Sequence, residues 1–127
     1  QAASADCPAR IVNIASIAGS KVASQEYPAY ISSKAGLIHL TRDMAQKFAK
    51  YNITVNSISP GAFDSQMLRD SMSEDRFAHF SDYIPLRRLG NSRDITGIIV
   101  FLTSDAGSYI TGTNTILDGG IFIKAVY

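Results

Sequence analysis

Apolar positions along this chain fall into three short bursts, set apart by stretches that repeat with a helical period. Arg10 to Ala15 (Arg-Ile-Val-Asn-Ile-Ala) is β-branched and nearly continuous in apolar character, which predicts a strand covered on both faces. Ser16-Ile17-Ala18-Gly19-Ser20 breaks that pattern and leaves Ser16 at the strand's carboxyl end, with a loop running on to Pro28. From Pro28 to about Lys50 the period changes: Ile31, Ala35, Ile38, Met44, Ala45 and Phe48 recur at three- and four-residue steps, the stripe of a long helix. Pro28 suits a first helical turn, where a missing N–H costs nothing, and Lys47 and Lys50 suit the last turns, where the helix dipole favours cations. Asn52 ends the helix, and residues 53–59 alternate apolar and polar as a second strand. Strand, helix and strand make a βαβ unit, which predicts parallel strands and a right-handed crossover.

Pro60-Gly61 stops the second strand at its carboxyl end. Residues 62–89 scatter Met67, Leu68, Met72, Phe77, Phe80, Tyr83 and Ile84 among charges, which predicts one or two short amphipathic helices over the mouth of a site, a lid of the kind that gates many active sites. Ser92 reads as the N-cap of a largely buried helix over residues 93–102. Residues 113–117 predict a third strand, Asp118-Gly119-Gly120 a tight turn, and residues 121–127 an apolar C-terminus. Residues 1–9 read as a frayed helix end and a loop. No repeat or linker divides the chain, so the pattern describes one α/β domain.

Composition narrows the function classes. The 127 residues are 46% apolar and 18% charged, as in a soluble globular protein, and disordered and collagen-like readings drop out. A net charge of +1 leaves no basic surplus for nucleic acid, so small molecules or further copies of the chain are the expected partners. Cys7 is the lone cysteine, and His39 and His79 read as surface or packed histidines with no carboxylate or second histidine at ligand spacing; no metal is expected, and a reducing, cytoplasmic setting suits the chain. No stretch approaches the ~20 apolar residues of a membrane span. Asn52-Ile53-Thr54 fits a glycosylation sequon but reads as a helix-to-strand junction.

Candidate chemistry centres on Tyr30-Ile31-Ser32-Ser33-Lys34. On a helix Tyr30 and Lys34 share one face a turn apart, which sets a cation beside a phenol. A tyrosine hydroxyl titrates near pH ~10 in water, and a fixed positive charge favours its phenolate, so the pair can work as an acid and base. The same spacing also fits an ordinary helix surface. Ser16 adds weight, because open α/β sheets place ligands at the carboxyl ends of their strands.

Four stretches, in order, resemble the second half of a short-chain dehydrogenase/reductase: Val12 to Ser16 with Gly19, Tyr30 to Lys34 with Ala35-Gly36, Val55 to Gly61, and Tyr109 to Gly112 leading to Asp118-Gly119-Gly120. Pro85-Leu86-Arg87-Arg88-Leu89-Gly90 is similar to a further family stretch. The resemblance runs from about Arg10 to Gly120. It implies the C-terminal half of a Rossmann-type doubly wound parallel sheet in three αβα layers, and an NAD(P)-dependent oxidoreductase interconverting a carbonyl and a secondary alcohol. It also implies roles. Ser16 would hold the substrate oxygen, Tyr30 would be the acid/base, and Lys34 would lower the tyrosine's pKa and bind the nicotinamide ribose. Lowering a phenol by ~3 pH units takes about 4 kcal/mol, more than one solvated ion pair supplies, so burial and the positive nicotinamide ring are implied to contribute. Pro60, Gly61 and Phe63 would meet the nicotinamide carboxamide, and Ser65 stands where the family more often has threonine.

The same resemblance sets expected limits. The glycine-rich turn that seats the cofactor's pyrophosphate and the asparagine of the family's proton relay have no match here, so the chain reads as a partial Rossmann domain, inactive alone, with one sheet edge unpaired. The choice between NAD and NADP is not readable, the resemblance leaning slightly to NADP. Pro60 to Met67 is similar to reductases of 3-oxoacyl type, and the apolar residues of 62–89 fit an acyl chain or another hydrophobic ketone, with sugar and polyol dehydrogenases kept. The family implies a homodimer or homotetramer for the full-length protein. The alternative reading is a truncated, non-catalytic relic or an oligomerisation module of the same fold.

Overall fold

The computed structural model describes residues 8–21 and 27–124. Cys7, the reading of residues 1–7, the rest of the loop before Tyr27, and residues 125–127 lie outside them. Strands β1 (Ala9–Ile14), β2 (Ile53–Pro60) and β3 (Asn114–Leu117) form one sheet in the order β1-β2-β3, all parallel. The register sets Ala9 opposite Ile53 and Ile14 opposite Ile58, then Ser57 opposite Asn114 and Pro60 opposite Leu117. All three strands therefore end at one edge. The expected βαβ unit is present, with helix α1 (Pro28–Phe48) between β1 and β2 and packed on β2. Pro28 stands at its first position, and Asn52 closes the junction in the left-handed region (φ 56°), which asparagine tolerates.

β2 is the middle strand and is buried from Thr54 to Ser59. Consecutive residues point to opposite faces, so both faces are covered. Thr54, Asn56, Ser57 and Ser59 among them are polar, and hydrogen bonds make the burial of the last three tolerable. Ser57 and Ser59 hydroxyls donate to Asn114 Oδ1 at 2.9 and 2.8 Å, and Asn56 bonds the segment before β3. The apolar core is Ala15, Ile38, Ala45, Val55, Ile58, Ile84 and Leu102.

Residues 62–89 hold two short helices, α2 (Gln66–Asp70) and α3 (Glu74–Ala78), and a 3-10 turn at Phe80–Tyr83, as their pattern predicts. The last helix, α4 (Ser92–Thr103), departs from expectation twice. Its N-cap is Asn91, whose side chain accepts from Arg93 N–H while Asp94 answers to Asn91 N–H; Ser92 is the first helical residue. The box Asn91…Asp94 was visible in the sequence and outranks a serine one place later, because two donors are satisfied together. Nor is α4 largely buried. Leu102 is enclosed, while Val100 and Phe101 are 58% and 41% exposed, because α4 touches the sheet chiefly through β1. The segment after β3 forms a 3-10 turn, Ile121–Ile123.

Candidate active site

The carboxyl edge of the sheet gathers the candidate residues. Ser16 follows β1 by two residues, is 9% exposed, and caps the turn Ile17–Gly19 by accepting Ala18 N–H at 3.2 Å. That use leaves the hydroxyl its own hydrogen to donate. Tyr30 and Lys34 occupy the first two turns of α1, and the Lys34 ammonium stands 5.6 Å from the Tyr30 ring centre. Lys34 Nζ also donates to the carbonyl of Ile14, the last residue of β1, at 2.9 Å. One lysine thus ties the helix face that carries the tyrosine to the strand end that carries the serine. Gly19 completes the contact: a Cβ there would lie 2.7 Å from the Lys34 carbonyl carbon. Any larger residue would hold the Ser16 turn off α1.

Pro60, Gly61, Phe63 and Ser65 follow β2 along the same edge. Gly61 N–H donates to Leu117 O at 2.9 Å, and a Cβ on Gly61 would strike the Asp118 Cβ, so this glycine lets β2 and β3 leave the sheet side by side. Phe63 bridges in parallel to Gly90, its ring lying over the glycine. Ser65 caps α2 by accepting Leu68 N–H at 3.3 Å. Phe63, Leu86, Arg88, Gly90, Asp94 and Asp118 line a cavity of about 80 Å³, well under the ~300 Å³ at which ligand-enclosing pockets begin. Residues 60–65 therefore form an open wall along this edge of the sheet.

Beside this wall Arg88 donates to both carboxylate oxygens of Asp94, at 2.7 and 2.8 Å. The guanidinium and the Asn91 N–H hold the Asp94 carboxyl down at about 2. The aromatic residues of this stretch are partly engaged: Arg69 lies 4.4 Å from the centre of the Phe77 ring, and Phe80 stacks on Tyr83. Met67 is 68% exposed.

His79 corrects one expectation, since Asp75 stands four residues before it, with Nδ1 3.0 Å from the Asp75 carbonyl and 3.9 Å from its carboxylate. The contact is solvent-exposed and local to α3. Among the described residues no group of three or more His, Cys, Asp or Glu is placed to hold a metal ion, and no helix is long and apolar enough to cross a membrane.

The geometry agrees with three comparisons. Residues 2–122 match the family model described as Enoyl-(Acyl carrier protein) reductase. Protein FixR of Bradyrhizobium diazoefficiens is 44% identical over 110 residues, 87% of this chain and 38% of that protein. The 3-oxoacyl-[acyl-carrier-protein] reductase FabG of Staphylococcus epidermidis is 36% identical over 113 residues, 89% of this chain and 46% of that protein. Among solved structures, the RhlG/NADP active-site complex of Pseudomonas aeruginosa superposes with a TM-score of 0.87 at 36% identity, covering 94% of this chain and 47% of that one. The chain belongs to the short-chain dehydrogenase/reductase family, an oxidoreductase family with a Rossmann fold, and it spans less than half the length of these relatives.

Proposed function

We propose that this chain carries the proton-transfer half of a nicotinamide-dependent oxidoreductase that interconverts a carbonyl and a secondary alcohol. The observation that supports it best is the Lys34 ammonium, bonded to Ile14 O at the end of β1 and poised beside Tyr30, which draws Ser16, Tyr30 and Lys34 to one sheet edge. In the reducing direction Ser16 donates its hydroxyl hydrogen to the carbonyl oxygen and holds it. Tyr30 then gives that oxygen a proton, and its phenolate is stabilised by the Lys34 charge until solvent protonates it again. Bound NADH or NADPH would supply the hydride and leave as the oxidised dinucleotide.

The residues present fit the nicotinamide end of that cofactor. Lys34 keeps two ammonium hydrogens beyond the one on Ile14 O, enough for ribose hydroxyls, and the backbone of Pro60, Gly61 and Phe63 with the Ser65 hydroxyl form the wall a carboxamide would meet. No glycine-rich strand-to-helix turn for the diphosphate occurs in these residues. We therefore expect the 127 residues alone to be a partial domain that binds the dinucleotide weakly and does not turn over, the full activity needing a cofactor-binding half. The 3-oxoacyl reductase likeness and the apolar lid favour an acyl or other hydrophobic ketone as substrate.

A nicotinamide absorbance assay with NADH and NADPH, on the chain and on a protein joining it to a family cofactor-binding half, tests this reading. Carbonyl-dependent oxidation by the joined protein, lost in Tyr30→Phe, is the expected result. Full activity retained by Tyr30→Phe would sink it. A second reading, an oligomerisation module, draws on exposed apolar side chains along α1 and α4, Leu40, Val100 and Phe101 among them. Those faces suit a homodimer or homotetramer in either reading, and sedimentation of the protein checks it.

A further inference from the structure

One contact outside the candidate triad joins distant parts of the site. Lys21 follows the Ser16 turn directly, its own N–H closing that turn on Ile17 O at 2.9 Å. Its side chain is half-buried and reaches a carbonyl 100 residues away, with Nζ donating to Ile121 O at 2.7 Å. Ile121 follows β3 and Lys21 follows β1, so the bond links the segments leaving the two outer strands, with β2 and Pro60 between them.

The carbonyl that Lys21 finds is held in place. Asp118 accepts from Gly120 N–H at 2.8 Å and from Phe122 N–H, which folds residues 118–122 into a fixed turn. That turn is in turn fastened to the end of the lid. Leu86 N–H donates to Gly119 O at 3.1 Å, Gly119 lies against Ile84, and Gly120 lies against Pro85. Past the turn, Lys124 Nζ donates to Tyr83 O at 2.9 Å. Residues 83–86 and 118–124 thus behave as one strap along the site.

We propose that Lys21 is a positioning residue that couples the Ser16 turn to this strap, so that the lid and the substrate-holding serine settle together. The proposal rests on the oxidoreductase reading for its consequence in catalysis, though the coupling itself does not. A hydrogen bond from an ammonium to a fixed carbonyl joins two segments that the sheet keeps a strand apart; removing it should free both segments and leave the sheet intact. Substrate binding then weakens while the acid/base group is untouched.

Hydrogen exchange followed by mass spectrometry on the protein tests the coupling without reference to activity. Lys21→Met is expected to raise exchange about tenfold at residues 17–21 and also at 83–86 and 119–124, with β2 unchanged, and Lys21→Arg, which keeps a cationic donor, to restore the native pattern. Change confined to residues 17–21, or an Arg variant that behaves like the Met one, overturns the proposal. If Lys21→Met does not fold, Lys21→Ala, which likewise lacks the donor, carries the same comparison. In the active oxidoreductase Lys21→Met should raise the substrate KM about tenfold and leave the pH profile of kcat in place; a shifted profile would make Lys21 part of the proton-transfer group and defeat the positioning role. Absence of any carbonyl turnover defeats the oxidoreductase reading instead, while the exchange result stands on its own.

Discussion

Gly19 lies against the second turn of α1: a methyl group on its α-carbon would sit 2.7 Å from the carbonyl carbon of Lys34 and 2.8 Å from the amide nitrogen of Ala35. Both are backbone atoms of a regular helix, so no side-chain rotation can make room. Gly19→Ala should therefore lift the Ser16 turn away from Lys34 and cost roughly 1–3 kcal/mol of stability. Urea denaturation measures the loss, and a midpoint equal to wild type would show that the turn tolerates the displacement.

Tyr30 is 37% exposed, and Tyr30→Phe removes one hydroxyl and keeps the ring, so it should leave stability near wild type. In the active oxidoreductase the same change should lower kcat by a factor on the order of 10²–10⁴, the usual contribution of a general acid. Lys34→Met should lower kcat and also weaken cofactor binding, since it removes the ammonium from both Tyr30 and the strand end. Steady-state kinetics with the dinucleotide varied separates the two, and a Lys34 variant with intact kcat would remove the lysine from the mechanism.

Much of this arrangement was legible in the residues. The switch from a continuous apolar run to a helical period marked β1 and α1, and it put Ser16 at a strand end and Tyr30 and Lys34 at a helix start. Distance in the chain explains what was not legible. Lys21 finds a carbonyl 100 residues on, and Gly19 is required by a helix backbone rather than by its own turn; neither partner has a side-chain signature. The exposure of Val100 and Phe101 escaped the apolar pattern of residues 95–102 because that pattern records which side chains avoid water, and does not say which neighbour covers them. The Asn91 cap is different, because its box with Asp94 stands in the sequence itself, one residue before Ser92.

Asp94 predicts an acid-side effect. Its carboxyl titrates at about 2 against an ordinary 3.8, held down first by the Arg88 hydrogen bond and then by Asn91 N–H. A carboxyl depressed on folding stabilises the folded state fully above its unfolded value and loses that contribution as pH falls through its folded value. The cap and the Arg88 pair should therefore weaken as pH drops from about 4 toward about 2. In Asp94→Asn this part of the acid dependence should vanish. Thermal melts of both proteins across that range check it, and parallel curves would show that Asp94 is not the group responsible.

Asn56 is 1% exposed in the middle of β2, and its amide does three things at once. Nδ2 donates to Ile110 O at 2.8 Å, and Oδ1 accepts Thr113 N–H at 3.1 Å and Thr113 Oγ1 at 2.9 Å. These bonds seat the segment that leads into β3, and β3 in turn sets Gly61 beside Asp118 and so places the wall after Pro60. Asn56→Ala would leave the part-buried Ile110 carbonyl and Thr113 N–H without these partners, at up to about 1–3 kcal/mol each, in a fold whose whole stability is on the order of 5–15 kcal/mol. It should therefore lower the denaturation midpoint markedly. Asn56→Asp is the sharper test, because it keeps shape and loses the donor. An ionised carboxylate there would face the Ile110 carbonyl, so burial and that carbonyl both favour the protonated acid, whose hydrogen can take over the Nδ2 bond. A carboxyl raised on folding stabilises most at low pH, so the variant should regain stability relative to wild type as pH falls toward 4. Denaturation curves at neutral and acid pH measure this, and a deficit that does not change with pH would mean the Ile110 carbonyl is not what Asn56 holds.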